Sequence, residues 1–312
     1  MQLERQNALQ TIADICSWRP ALSSVLQAFS PVLSAQEEVC DRVAQSCHEK
    51  GIILPEAEVS RLSLGVSLLS DHDLPDLSWA VQLSFEHQKP ALDSIESLRA
   101  LTDHVQPVLS LAEQKICFSM VCFNSPEQGS ELAAKCGLDP LSFSLVMNFV
   151  VSAVLHGLVQ ASFANASEAP WDKNNIWQQG YCPVCGSAPT IAWLDKATID
   201  ERNPYLLEGG GRKHLHCGVC GANWRFLRLA CPACGIKESK QMEILSEESN
   251  NTHGESLYWC NNCRAYCPTV DLRERNAFPN LEAQALGMLH LEVIGAEQNL
   301  TPLRRSFWNT FS

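Results

Sequence analysis

Four Cys-x-x-Cys pairs fall between residues 182 and 263 of the 312-residue chain: Cys182/Cys185, Cys217/Cys220, Cys231/Cys234 and Cys260/Cys263. Two residues between cysteines let a tight turn aim both sulfurs at one ion, with backbone N–H groups directed at the sulfurs. A second such turn completes a tetrahedral four-thiolate site, with metal–sulfur distances of ~2.3 Å for zinc. Glycine directly after the second cysteine supplies the positive φ that closes the turn. Gly186, Gly221 and Gly235 occupy that position in three pairs. The fourth pair has Arg264, so its turn is expected to close differently.

The gaps favour one grouping. Thirty-one residues separate Cys185 from Cys217 and twenty-five separate Cys234 from Cys260, each enough for a small ribbon of hairpins, whereas ten separate Cys220 from Cys231. One site is therefore assigned to Cys182, Cys185, Cys217 and Cys220, and a second to Cys231, Cys234, Cys260 and Cys263. An arrangement in which the inner two pairs share one metal and the outer two the other stays open. So does the metal. Structural zinc ribbons would supply folding energy, while tetrahedral sulfur accommodates rubredoxin-like iron equally well. Lys196, Arg212, Lys213, Arg225 and Arg228 could offset the two negative charges of a loaded site. Thioredoxin-type dithiol chemistry lacks its βαβ context.

Before residue 170 the texture is helical. Ile95, Leu98, Leu101 and Val105 follow a helical stripe after Asp93-Ser94, a candidate helix start. Asp139-Pro140 offers an N-cap followed by proline at the first helical position. The helix beyond it is apolar nearly all round, which places it inside a bundle. Ala164 to Gln179 reads as a connector. From Gly180 on, short strands and turns take over. Trp224–Leu229 reads as a short exposed strand, and Gly209-Gly210-Gly211 as a turn tip rather than a phosphate loop. Leu281, Ala285, Leu289 and Val293 then recur at helical spacing. The expected fold is mixed. An N-terminal all-α bundle (1–170) precedes two small β-rich rubredoxin-like or zinc-ribbon modules and a C-terminal helical tail (171–312).

With 46% hydrophobic and 19% charged residues, the chain can bury a sizeable core. Its formal charge of −12 disfavours nucleic acid as the main partner. The charge is uneven. Residues 1–175 hold 10 Lys+Arg against 21 Asp+Glu, and residues 176–312 hold 13 against 14. The polar start lacks the apolar core of a signal peptide, and serines and Asn148 interrupt the apolar run Leu141–Leu155. A buried helix is therefore expected there, with no stable membrane insertion, in a cytoplasmic protein whose fifteen cysteines do not form a disulfide framework.

His214 and His216 flank the second pair but are expected as strand side chains or donors to the ligands, since eight thiolates fill two sites. Cys117, Cys122, Cys136 and Cys267 read as small apolar positions, and His156 as a satisfied core histidine. No nucleophile–base constellation or cofactor fingerprint emerges, so an enzyme is not expected.

The ordered run Tyr181-Cys182-Pro183-Val184-Cys185-Gly186-Ser187-Ala188-Pro189, Leu215-His216-Cys217-Gly218-Val219-Cys220-Gly221, Trp224, Arg228 and Cys231-Pro232-Ala233-Cys234-Gly235 resembles the formate dehydrogenase accessory protein family, FdhE. The resemblance is tight from about 180 to 264. The helical first 175 residues match in kind. It implies a cytoplasmic, non-catalytic assembly factor that contacts the catalytic subunit of respiratory formate dehydrogenase before export. It also implies rubredoxin-like iron, with the eight paired cysteines as ligands. Cys260-Asn261-Asn262-Cys263-Arg264-Ala265-Tyr266-Cys267 departs from the pattern in lacking the small turn residue and in adding Cys267, a possible substitute ligand or redox partner.

The leading expectation is thus a chaperone-like accessory factor for that enzyme, its acidic bundle suited to a basic client surface. The alternative is an iron-containing redox or electron-transfer protein acting on that enzyme or another metalloenzyme. A zinc-ribbon nucleic-acid binder is opposed by the charge. Serine at Cys182 and Cys185 is expected to lose one metal while the bundle survives.

Overall fold

A computed structural model describes residues 3–70, 74–105, 109–163, 168–196, 211–247, 252–306 and 309. Helices come first: α1 (Ala8–Trp18), α2 (Ser23–Lys50), α3 (Val59–Ser63), α4 (Ser78–Asp93), α5 (Glu96–Thr102), α6 (Leu111–Phe123), α7 (Ser130–Lys135) and α8 (Pro140–Phe163). Strands β1 (Ile191–Leu194), β2 (Lys213–His216), β3 (Asn223–Phe226), β4 (Met242–Leu245), β5 (Glu255–Cys260) and β6 (Ala265–Asp271) follow. The chain then forms α9 (Leu281–Gly287), α10 (Leu289–Glu297) and the two-residue β7 (Thr301–Pro302). This is the expected mixed class. The expected single C-terminal helix is two, broken at Met288.

Local signals set several ends. Asp139 Oδ1 accepts from the N–H groups of Leu141 and Ser142, both at 3.0 Å, and so starts α8 as predicted. Helix α8 is long and apolar enough to cross a membrane, yet 67% of its most apolar stretch is buried inside the protein. It packs on α2, where Gly157 makes the close approach possible: a Cβ there would lie 2.7 Å from the Cys40 carbonyl. Asp93-Ser94 does not start a helix. Asp93 ends α4, accepting from Lys89 Nζ and from Thr102 Oγ1, and α5 begins after Ile95 without a side-chain cap.

The two cysteine modules share one sheet, in the order β3-β2-β1-β6-β5-β4 with β7 beside β6. Each module contributes three antiparallel strands, and the modules join by the parallel pair β1–β6, with Ala192 opposite Thr269. The same internal order is therefore laid down twice. One sheet face, through Ala192, Leu215, Trp224 and Cys267, joins the core of α2, α4, α6 and α8. The other, through Ile191, Leu257, Tyr266 and Val270, packs on Leu281, Ala285 and Leu291. Trp224, expected on an exposed strand, is fully buried, and its indole donates to Gln179 O at 3.1 Å. Leu227 and Leu229 are the exposed residues of that stretch.

The outer edge of β3 is closed by side chains. Trp171 Nε1 donates to Asn223 O at 2.7 Å, and Arg225 N–H donates to Asp172 Oδ1 at 2.8 Å. Gly209 and Gly210 lie outside the described residues. At Gly211 a Cβ would run into the Asp195 carbonyl at 1.7 Å, so only glycine fits.

Candidate metal centres

All four Cys-x-x-Cys turns close alike. The N–H of the residue after each second cysteine donates to the carbonyl of the first cysteine: Gly186 to Cys182 (3.0 Å), Gly221 to Cys217 (2.8 Å), Gly235 to Cys231 (3.0 Å) and Arg264 to Cys260 (2.8 Å). These four residues have φ of +77°, +74°, +72° and +63°. The expectation of a different fourth turn is corrected: Arg264 adopts the left-handed conformation itself. Its side chain compensates, donating to Gln298 O at 2.6 Å and lying 4.6 Å over the Trp259 ring. Arg264→Gly is expected to keep both metals and change stability by under about 1 kcal/mol, because relief of backbone strain offsets the lost contacts. Arg264→Val, β-branched at positive φ, should loosen the second ion. Metal content and thermal melts of the two variants check this.

The structure brings the eight cysteines together in the two sets the gaps favour, each with its sulfurs within 4.8 Å of one another. Sulfurs at ~2.3 Å from a tetrahedral ion stand ~3.8 Å apart. The Cys182–Cys220 and Cys185–Cys217 sulfurs are both 3.5 Å apart, Cys231–Cys263 3.6 Å and Cys234–Cys260 3.8 Å. These spacings far exceed a disulfide and match the edges of such a tetrahedron. The donor set therefore fits a divalent or trivalent ion at each group. Cys267 belongs to neither group. It is buried on β6 opposite Tyr258, its thiol pushed up to about 12 by burial.

The two groups differ in depth. Cys182, Cys185, Cys217 and Cys220 are all buried within the main core. The helical region grips their first turn directly: Leu68 and Leu69 N–H donate to Pro183 O and Val184 O at 2.8 and 2.9 Å, and Ser67 Oγ to Cys182 O at 2.9 Å. Burial pushes the Cys182 and Cys220 thiols well up, so four thiolates there need a cation. In the second group Cys234 is exposed and Cys263 half-buried. What burial Cys234 has works upward, but the Ile236 N–H and the Asn262 amide, with Cys231 and Cys263, bring it down to about 6.

Sequence reasoning missed three contributors to the first group. Cys122, at the end of α6, is buried in the same core cluster, where the neighbouring Cys185 and burial push its thiol well up. Arg304, 6% exposed, donates to Val121 O (2.8 Å), Cys122 O (3.4 Å) and Ser187 Oγ (2.5 Å), tying α6 to the first turn. Glu282 on α9 accepts from His216 Nε2 at 2.7 Å and is held at about 2, against its burial, by His216 and His156. The histidines behave as expected: His156 Nε2 lies 3.2 Å from Gly218 O, His216 Nδ1 3.1 Å from Asn223 Oδ1, and His214 stacks on Trp193 with ring centroids 3.9 Å apart. Of the counter-charges, Lys213 is buried, 5.2 Å over the Tyr258 ring, and Arg225 pairs with Glu168.

No family model matches the chain. It is 24% identical over 315 residues, 98% of this chain and 95% of the other, to a protein of Aquifex aeolicus named FdhE homolog. Proteins of the same name from Shewanella oneidensis and Haemophilus influenzae are 25% and 26% identical over 121 and 113 residues, 39% and 36% of this chain and 35% and 33% of their own. The crystal structure of the FdhE protein from Pseudomonas aeruginosa shares the fold with a TM-score of 0.50 at 17% identity, covering 95% of this chain and 91% of that one.

Proposed function

On the premise that this chain resembles an FdhE homolog of Aquifex aeolicus along nearly its whole length, we propose that it is an accessory factor for respiratory formate dehydrogenase. It binds that enzyme's catalytic subunit in the cytoplasm, before export, and does no chemistry on a substrate of its own. The observation that carries this reading is the full-length similarity, together with two four-cysteine groups set in one sheet against a helical core. An ion in each group, iron or zinc, would supply the cross-link that the eight thiolates cannot provide by themselves. The chain's own residues then do the holding. The Leu68–Leu69 backbone and Arg304 fix the first group to the helices, and Glu282 fixes His216 beside it. An acidic helical region speeds encounter with a basic client surface.

A second reading, electron transfer through iron, is favoured by one observation: the Cys234 sulfur belongs to a group that reaches the surface. Co-purification separates the two. The tagged chain, expressed with the catalytic subunit of a formate dehydrogenase from the same source, is expected to retain that subunit. Cys234→Ser, which leaves the buried group intact, should retain it equally. Failure to retain the subunit after aerobic and anaerobic capture would end the accessory reading. Visible absorption that bleaches on reduction and disappears in Cys234→Ser would favour electron transfer.

A further inference from the structure

A cleft of about 1710 Å³ opens between α2 and α8 on one side and β1, the Gly218–Gly221 turn of the buried cysteine group and the start of α9 on the other. Its two walls differ in chemistry. On the helical wall Glu37 and Asp41 stand one turn apart on α2, facing Glu282 across the cleft. Among the described residues neither Glu37 nor Asp41 is paired with lysine or arginine. Glu37 accepts from the Ala8 N–H and from Asn280 Nδ2, and Asp41 from Gln160 Nε2. The opposite wall carries, besides Glu282, Trp193 edge-on to Phe278 at 5.2 Å, with Asp195 and Lys196 following Trp193 along the lining.

The chain itself shows what this cleft accommodates. Its N-terminal segment runs extended along Phe278, with Gln6 N–H donating to Phe278 O at 2.9 Å and Phe278 N–H to Glu4 O at 2.8 Å. The guanidinium of Arg5 lies 5.4 Å over the Phe278 ring. Guanidinium is the cation that stacks on aromatic faces and also pairs in a planar fork with carboxylates.

We propose that this cleft binds an extended, arginine-bearing segment of the client polypeptide, its guanidinium groups held between the Glu37/Asp41 wall and the Trp193/Phe278 wall. This rests on the accessory-factor reading and names the surface through which it operates. The floor of the cleft is the turn carrying Cys217 and Cys220, so the buried cysteine group shapes the binding site.

The probe is a fluorescein-labelled extended decapeptide carrying two arginines, compared with the same peptide carrying glutamines at those positions, each titrated with the full chain. The arginine peptide is expected to bind at least tenfold more tightly, with the difference shrinking as salt is raised. Glu37→Gln/Asp41→Asn should lower its affinity at least tenfold with unchanged circular dichroism, and Glu49→Gln, on the same helix outside the cleft, should leave it unchanged. Equal binding of both peptides, absence of binding at millimolar peptide, or wild-type affinity in the double variant would overturn the cleft. If the double variant still co-purifies the catalytic subunit undiminished, the cleft falls and the accessory reading stands. If the wild-type chain retains no subunit, the accessory reading falls.

Discussion

Serine at both Cys182 and Cys185 is expected to remove one metal ion per chain and to melt the helices along with the sheet. The first cysteine group lies in the same buried cluster as Val39 and Val43 of α2, Phe118 of α6 and Val150 and Leu155 of α8. Backbone hydrogen bonds from Leu68 and Leu69 hold its first turn against the helical region. Binding at a structural four-ligand site contributes about 10–16 kcal/mol in small metal-dependent peptides, as much as the ~5–15 kcal/mol that holds a whole domain folded. The shared core thus replaces the expectation that the bundle survives. Elemental analysis and the far-ultraviolet melt test this together. A variant one ion short whose helices melt at the wild-type temperature would show that the core does not transmit the loss.

A chelator is expected to strip the two ions in separate phases, the second group first. Reaching the buried group requires opening part of the core. An opening of about 3 kcal/mol slows release on the order of 100-fold. Cys234, exposed and with its thiol brought down to about 6, offers a chelator direct access to the second group. Cys234→Ser should eliminate the fast phase and leave the slow one and the helical melt unchanged. Release of both ions in one phase would contradict the difference in depth.

What was legible in the sequence was what short stretches encode. Each Cys-x-x-Cys turn is a local object whose glycine declares its φ, and the loop lengths between turns favoured the grouping that the structure brings together. Asp139-Pro140 likewise carries its own helix start. The errors arose where a contact outside the local motif decides. Arg264 takes a glycine's conformation because Gln298 and Trp259, brought near by the fold, hold its side chain. Asp93 ends one helix rather than starting the next because Lys89 and Thr102 claim its carboxylate. Cys122 and Arg304 carry no spacing signal, since their approach to the first group depends on how α6 and the C-terminal segment dock. The fusion of two ribbons through β1–β6 is a register between strands that lie far apart in the chain.

The repeated strand order leaves the sheet with two unlike ends. At β3 the indole of Trp171 and the carboxylate of Asp172 occupy the backbone groups that a neighbouring chain would need for pairing. Head-to-tail pairing of two copies through this edge would have to displace both contacts, although a β1–β6 kind of join already operates inside each copy. The connector between helices and ribbons thus covers part of the edge at which a third such module would add its strands.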